Sequence, residues 1–294
     1  MDDKHKEVLL RTMRDFIGFC DKAGLRWYLA FGSAIGAVRH KGMIPWDDDI
    51  DVYMPRPDYE RLLEMKGKVA SLTGGCLEGE YDIVGLRAGD DDLPFPFTKF
   101  CDMNSTMWEQ ERYPYLYGVF IDIFPLDECS ADIAQVERVH RQYSVAFKKY
   151  RRSLRRYTMG KWFGALKDLN FQYCISAILD ICFYRLAKVS LRKTFVDLDK
   201  SLSMSSGPFR MTYSAYSSAE KVCFPREWVE GYDEVQFENM MVRLPSGNDM
   251  ILRKIYGDYM QFPPKYERIS THGQYFVDFT RRLSIEEIQD IGTI

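Results

Sequence analysis

The sequence runs to 294 residues, 46% of them hydrophobic and 15% aromatic, which suits a globular protein of one large domain or two small ones and excludes a disordered chain. Its 40 basic and 43 acidic side chains leave a net charge of −3, which excludes a dedicated nucleic-acid binder and confines any contact with a polyanion to a local patch. Seven cysteines form no C-x-x-C pair and leave an odd one, and text such as Phe19-Cys20 and Ile181-Cys182 places them among apolar neighbours, so buried thiols in a reducing compartment are expected rather than a disulfide framework.

In chain order, the charged start Met1 to Glu7 leads into Val8, Leu9, Met13, Phe16, Ile17 and Cys20 at helical spacing, with Gly24 as a stop. This predicts a helix over 4–23 and reads against a signal peptide. Arg26 to Phe31 reads as a short strand running into Gly32-Ser33 and a brief helix ending near His40. A strand over 49–54 follows, then a helix opened by Pro57-Asp58 and carried to Val69. Strands are expected over 81–87 and 97–102, and 118–124 (Gly-Val-Phe-Ile-Asp-Ile-Phe) is the clearest buried strand of the chain. Residues 132–200 read as helical throughout, 221–245 return to strand-like text, and helices are expected over 247–256 and near Ile285. The domain plan read from this is a core over 1–130, a helical insertion over 131–205 and a C-terminal part over 206–294 that completes the core and the substrate site.

The informative chemistry lies in Pro45-Trp46-Asp47-Asp48-Asp49-Ile50-Asp51-Val52. Side chains two apart on a strand share a face, so Asp49 and Asp51 point one way while Ile50 and Val52 face the core. Parallel carboxylates repel unless a cation lies between them, and magnesium prefers such oxygen ligands together with substrate phosphates. A plain acidic surface turn would not interleave its acids with apolar residues at strand period. Asp122, inside Phe120-Ile121-Asp122-Ile123-Phe124, is costly to bury without a partner or a metal, although a structural ion pair would also satisfy it. Upstream, Gly32-Ser33 between a strand and a helix offers backbone N–H groups to a phosphate. A Gly-Ser turn followed by an Asp-x-Asp strand is the organisation of nucleotidyltransferase-fold enzymes, although the fifteen residues between Ser33 and Asp49 are a long spacing for it.

Read whole, GSAIGAVRHKGMIPWDDDIDVYMPRPDYE over 32–60 resembles the signature of the LicD family, which is related to the fukutin and fukutin-related proteins. The likeness continues at FTKFCD (97–102), YGVFIDIFPLD (117–127) and IYGDYMQFPP (255–264), with His272 following. The resemblance implies an α+β protein whose nucleotidyltransferase-fold core, a mixed β-sheet with flanking helices, carries a helical insertion. It further implies transfer of a phospho-alcohol, phosphocholine first among them, from a CDP-activated donor to a hydroxyl of a cell-surface glycan such as lipopolysaccharide or teichoic acid, or of its lipid-linked precursor. Asp49, Asp51 and Asp122 would then hold Mg²⁺, or Mn²⁺ in its place, and Asp122 is the first candidate to take the acceptor proton. Arg39, His40 and Lys99 are candidates for the phosphates, with capping of the preceding helix as an equal reading of the Arg-His pair. Asp47 and Asp48 would orient the loop or bind metal-held water, Trp46 would stack on a base or meet a quaternary ammonium, and His272 stands in motif-like surroundings.

Two other functions fit the same residues: a nucleotidyltransferase that moves the NMP itself, and a non-catalytic module that binds a glycan or a nucleotide. The basic stretch 148–167, with eight cations among aromatics, suggests a peripheral contact with an anionic membrane at its inner, cytoplasmic face, against the bland reading of a solvated helix face. Phe171 to Ala187 is apolar but short and carries Asp180 and Arg185, so it reads as a buried or interfacial helix and not as a membrane span.

Overall fold

A computed structural model describes residues 2–215, 217–270 and 273–292. The opening helix α1 (Asp3–Ala23) forms where the apolar spacing predicts it. The Asp2 side chain accepts from the Lys4 N–H at its start, and Gly24 takes the left-handed conformation that ends it. Its inner face buries Val8, Leu9, Met13, Phe16, Phe19 and Cys20.

The strands in chain order are β1 (Tyr28–Leu29), β2 (Asp51–Pro55), β3 (Tyr81–Val84), β4 (Thr98–Asp102), β5 (Thr106–Trp108), β6 (Phe120–Cys129), β7 (Phe209–Met211), β8 (Cys223–Pro225), β9 (Tyr232–Phe237), β10 (Met240–Pro245) and β11 (Phe276–Asp278). Among the described residues, seven of them make one mixed sheet, with β1-β2-β6-β4-β3 as its spine and β7 and β8 attached to the far end of β6. β2 and β6 run parallel, and the other pairs are antiparallel. β6 is the axis of the molecule. Its pairing with β4 stops at Ile123, before Pro125, which has no N–H to offer, and its pairing with β7 begins at Asp127. For this reason the strand runs well past the expected 118–124. β9 and β10 form a separate hairpin, and β5 pairs with β11.

The strand expected over 26–31 is shorter, because Phe31 already begins a five-residue helix α2 (Phe31–Ile35) that continues as a π-helical turn, Gly36–His40. The helix expected from Pro57 to Val69 is two helices, α3 (Arg56–Leu63) and α4 (Val69–Thr73). The break falls where Gly67 adopts a φ of 71°, with its N–H donated to the Asp82 carboxylate.

Between β6 and β7 lie α5 (Ile133–Ser153), α6 (Met159–Lys167), α7 (Phe171–Leu179), continued by a π-helical turn over Asp180–Tyr184, and α8 (Lys188–Leu202). α5 and α8 pack through Tyr143, Phe147 and Phe195. They are tied to the sheet by Arg56, which donates Nε and Nη2 to the two oxygens of Asp127 at 2.6 and 2.9 Å and Nη1 to Asp199 at 3.2 Å. The basic stretch 148–167 does not form one solvated face. Arg152 and Arg155 fork with the Tyr157 hydroxyl onto the buried carboxylate of Asp180. α9 (Asn248–Tyr256) and α10 (Ile285–Asp290) complete the chain. Among the described residues, no helix is long and apolar enough to cross a membrane.

Candidate metal and phosphate site

Strand register brings the acids together. Asp51 of β2 is paired across the parallel ladder with Asp122 of β6, and Asp122 is paired on its other side with Lys99 of β4. Paired residues of neighbouring strands project from the same face of a sheet, so the three form one row. Asp49 enters from the loop before β2, and carboxylate oxygens of Asp49, Asp51 and Asp122 all lie within 4.8 Å of one another. Lys99 is buried, with its Nζ 2.7 Å from Asp122 Oδ1 and 3.2 Å from the centre of the Phe120 ring. Burial opposes its charge, but Asp122, with Glu109 behind it, outweighs that, and the ammonium is held above its ordinary pKa. Asp51 is pushed well above the usual carboxylate range by burial and by the charges of Asp49, Asp122 and Asp47. An all-oxygen set of this kind could hold a hard divalent cation.

The neighbouring turn is bound to this row. The Ser33 hydroxyl accepts the Asp51 N–H at 2.9 Å, and the Asp51 carbonyl accepts the Ala30 N–H at 2.9 Å. A Cβ placed on Gly32 would lie 2.8 Å from Asp47 Oδ2, so the glycine leaves room for the acidic loop to lie against the turn. Phe31, wedged between Tyr53 and Phe124, holds a φ of 46°, a strained value for a bulky side chain. Asp48 is buried and accepts from the Ser270 hydroxyl at 2.7 Å, which anchors the loop to the C-terminal part. Oxygens of Asp47, Asp48 and Asp49 also converge within 4.8 Å, a second grouping of acids able to hold a cation.

The row forms the floor of a cavity of about 760 Å³. Gly32, Asp47, Asp49, Asp51, Lys99 and Asp122, all candidates in the sequence, are among the residues that line it. Arg39 and His40 are not in this lining. Arg39 donates to the carbonyls of Tyr259 and Gln261 and covers the Phe262 ring, which spends its guanidinium on holding the 259–262 segment. Trp46 likewise packs with His40 and Phe262 under Arg268. His272 lies outside the described residues. Lys99 reaches the cavity, but as the partner of Asp122 rather than as a solvated point charge. The spacing of residues did not point to Arg151, Lys221, Glu109 or Tyr256, which also line the cavity, nor to the aromatic wall of Phe31, Phe95, Phe97 and Phe124. Of these, Tyr256, Phe97 and Phe124 fell inside the family-like motifs and Arg151 inside the basic stretch, and no local signal marks the rest.

Residues 24–164 match the family described as LicD/FKTN/FKRP, nucleotidyltransferase domain. The chain carries a LicD-family domain. That domain spans the Gly-Ser turn, the acidic loop, β2, β4 and β6, and so the whole row of Asp51, Asp122 and Lys99. The likeness is not confined to the domain. The lipopolysaccharide cholinephosphotransferase LicD of Haemophilus influenzae is 25% identical over 271 residues, which covers 91% of this chain and 94% of that protein. The ribitol 5-phosphate transferases FKRP of Mus musculus and Homo sapiens are each 37% identical over 86 residues, covering 29% of this chain and 17% of theirs. The chain is thus homologous to transferases of two different phospho-alcohols.

Proposed function

We propose that the protein transfers a phospho-alcohol, phosphocholine in the first place, from a CDP-activated donor to a hydroxyl of a cell-surface glycan or its lipid-linked precursor, with release of CMP. The observation that carries this reading is the row of Asp51, Asp122 and Lys99 with Asp49 beside it, on the floor of a cavity large enough for a nucleotide, in a homologue of two phospho-alcohol transferases. The Gly-Ser turn bound to an Asp-x-Asp strand, next to a parallel strand bearing the third acid, supports assignment of the core to the nucleotidyltransferase fold.

Asp49, Asp51 and Asp122 would hold Mg²⁺ or Mn²⁺, which supplies neutralisation of the charge spread over the diphosphate oxygens as the P–O bond breaks. Lys99 keeps Asp122 oriented and offsets part of the repulsion among the acids. Arg151 and Lys221, which face the cavity from its other sides, take the place in this reading that Arg39 and His40 held in the sequence. Asp47 and Asp48 hold the acidic loop against Gly32 and Ser270. The acceptor hydroxyl gives its proton to a carboxylate of the set. The wall of Phe31, Phe95, Phe97 and Phe124 suits a quaternary ammonium head group better than a polyol, which favours choline over ribitol.

The test is incubation of the protein with Mg²⁺ and a panel of CDP-alcohols, following CMP. Slow donor hydrolysis is expected with CDP-choline, and Asp51→Asn should lower it by about 10²–10³-fold, the scale of losing one electrostatic stabiliser of a transition state, with an unchanged circular dichroism spectrum. Pyrophosphate released from CTP, with no CMP from any CDP-alcohol, would transfer the protein to the nucleotidyltransferases proper.

A further inference from the structure

The helices between β6 and β7 carry an outer surface whose polarity is inverted. On α7 and its continuation, the side turned inward presents Cys174, Ala177 and the charged Asp180, while Phe171, Ile175 and Ile178 at helical spacing face outward, and Leu186 is exposed in the turn that follows. Leu186 is 84% exposed, Val189 79%, Leu169 69% and Phe183 65%, and α6 buries none of its residues. A soluble helix does the reverse, turning its apolar stripe to the core. An exposed apolar surface of this extent marks a place where another phase or molecule is met.

The charge of the segment is also inverted relative to the chain. Residues 155–189 contain six cations and two acids, against −3 for the whole protein, and the carboxylate of one of those acids, Asp180, is taken up by Arg152 and Arg155. Arg156, Lys167 and Arg185 are exposed within the same segment. A second copy docked through a two-fold axis would set this basic segment against itself, whereas a bilayer containing anionic lipid complements both the apolar side chains and the cations.

We infer that the outer face of residues 159–189 is a docking surface for an anionic lipid bilayer, on which the protein lies without crossing it. Its position gives this a purpose. The loop over 109–113 supplies Glu109 and Gln110 to the cavity wall, while Glu111 pairs with Lys161 of α6 and the Arg112 carbonyl accepts the Arg156 N–H. The membrane surface and the cavity therefore share one loop. An acceptor anchored in the bilayer would meet the cavity with its glycan while its lipid stayed in place. That last clause rests on the transferase reading; bilayer docking itself does not.

The experiment is co-sedimentation of the full chain with sucrose-loaded vesicles of phosphatidylcholine alone and of phosphatidylcholine with phosphatidylglycerol in equal parts. Binding to the mixed vesicles should be about tenfold tighter or more, from a few cations near the charged surface. F171S/I178S/F183S should leave the supernatant fraction unchanged by vesicles of either kind. R156E/K167E/R185E should bind mixed vesicles no better than neutral ones. Both variants should keep the melting temperature, the sedimentation coefficient and the rate of CMP release from soluble donor of the parent, so that failure of docking and failure of the transferase reading are separate results. A parent protein that stays in solution with both vesicles overturns the inference, as does equal binding to both. So does a parent dimer that F171S/I178S/F183S converts to monomer, which would assign the face to a second copy.

Discussion

Lys99 illustrates how a residue type visible in the sequence acquires its meaning from its neighbours. A lysine after Phe97-Thr98 invites the reading of a phosphate ligand, yet its Nζ lies against Asp122 and the face of Phe120, buried among aromatic rings. Removing one member of a buried ion pair strands the other, at a typical cost of about 3–5 kcal/mol. Lys99→Met should therefore lower the urea midpoint of unfolding. Added Mg²⁺ should raise the melting temperature of this variant more than that of the parent, because a bound cation takes over the neutralisation that the lysine provided. An equal Mg²⁺ response in both proteins would show that Lys99 and the cation site are not electrostatically linked. Arg39 is the converse case, a cation in a promising motif that the fold commits to two backbone carbonyls.

Among the elements, the β9–β10 hairpin controls the acidic loop from a distance. Glu238, at its turn, accepts from the Met43 N–H at 3.1 Å and pairs with Lys6 at 2.8 Å, while its own N–H donates to the Lys41 carbonyl. It thereby clasps the start of the loop that ends in Asp47 to Asp49. Partial burial works against the Glu238 charge, but the Lys6 ammonium and the Met43 N–H prevail and hold it below the usual carboxylate range. A carboxylate whose pKa is depressed on folding adds stability above its unfolded value of about 4.3, and loses it as pH falls through the folded value. Glu238→Gln should consequently cost about 1 kcal/mol near pH 7, and the difference from the parent should shrink in denaturation curves as pH is lowered from about 4.3 through the folded value. A gap that persists in acid would mean that the glutamine amide, rather than the missing charge, disturbs the loop.

For the molecule as a whole, a cluster of buried charges joins the helical block to the sheet. Arg56 bridges Asp127 of β6 and Asp199 of α8, and Arg87 joins the same Asp199 at 2.5 Å. With no cation at position 56, two carboxylates remain in a buried setting. Arg56→Met should destabilise the protein by about 3–5 kcal/mol in urea unfolding, with the transition splitting if the helices then melt before the sheet. A single transition with an unchanged midpoint would show that the packing of Tyr143, Phe147 and Phe195 suffices to hold the block in place.

The positions of the acids were legible from the sequence because strand period and hydrophobic interleaving are local properties: Asp49, Asp51 and Asp122 each announce themselves within a few residues. The opening helix, the two strands that carry Asp51 and Asp122 and the helical block between β6 and β7 were equally visible, since each is a pattern repeated along the chain. What only the tertiary structure decided is which groups meet. The register that sets Asp51 beside Asp122 and Asp122 beside Lys99, the withdrawal of Arg39 from the cavity, the arrival of Arg151 and Lys221 in its wall, and the outward turn of the apolar side of α7 all depend on contacts between distant segments. Periodicity tells which face of an element is apolar, but whether that face meets the core or the solvent is a property of the packing around it.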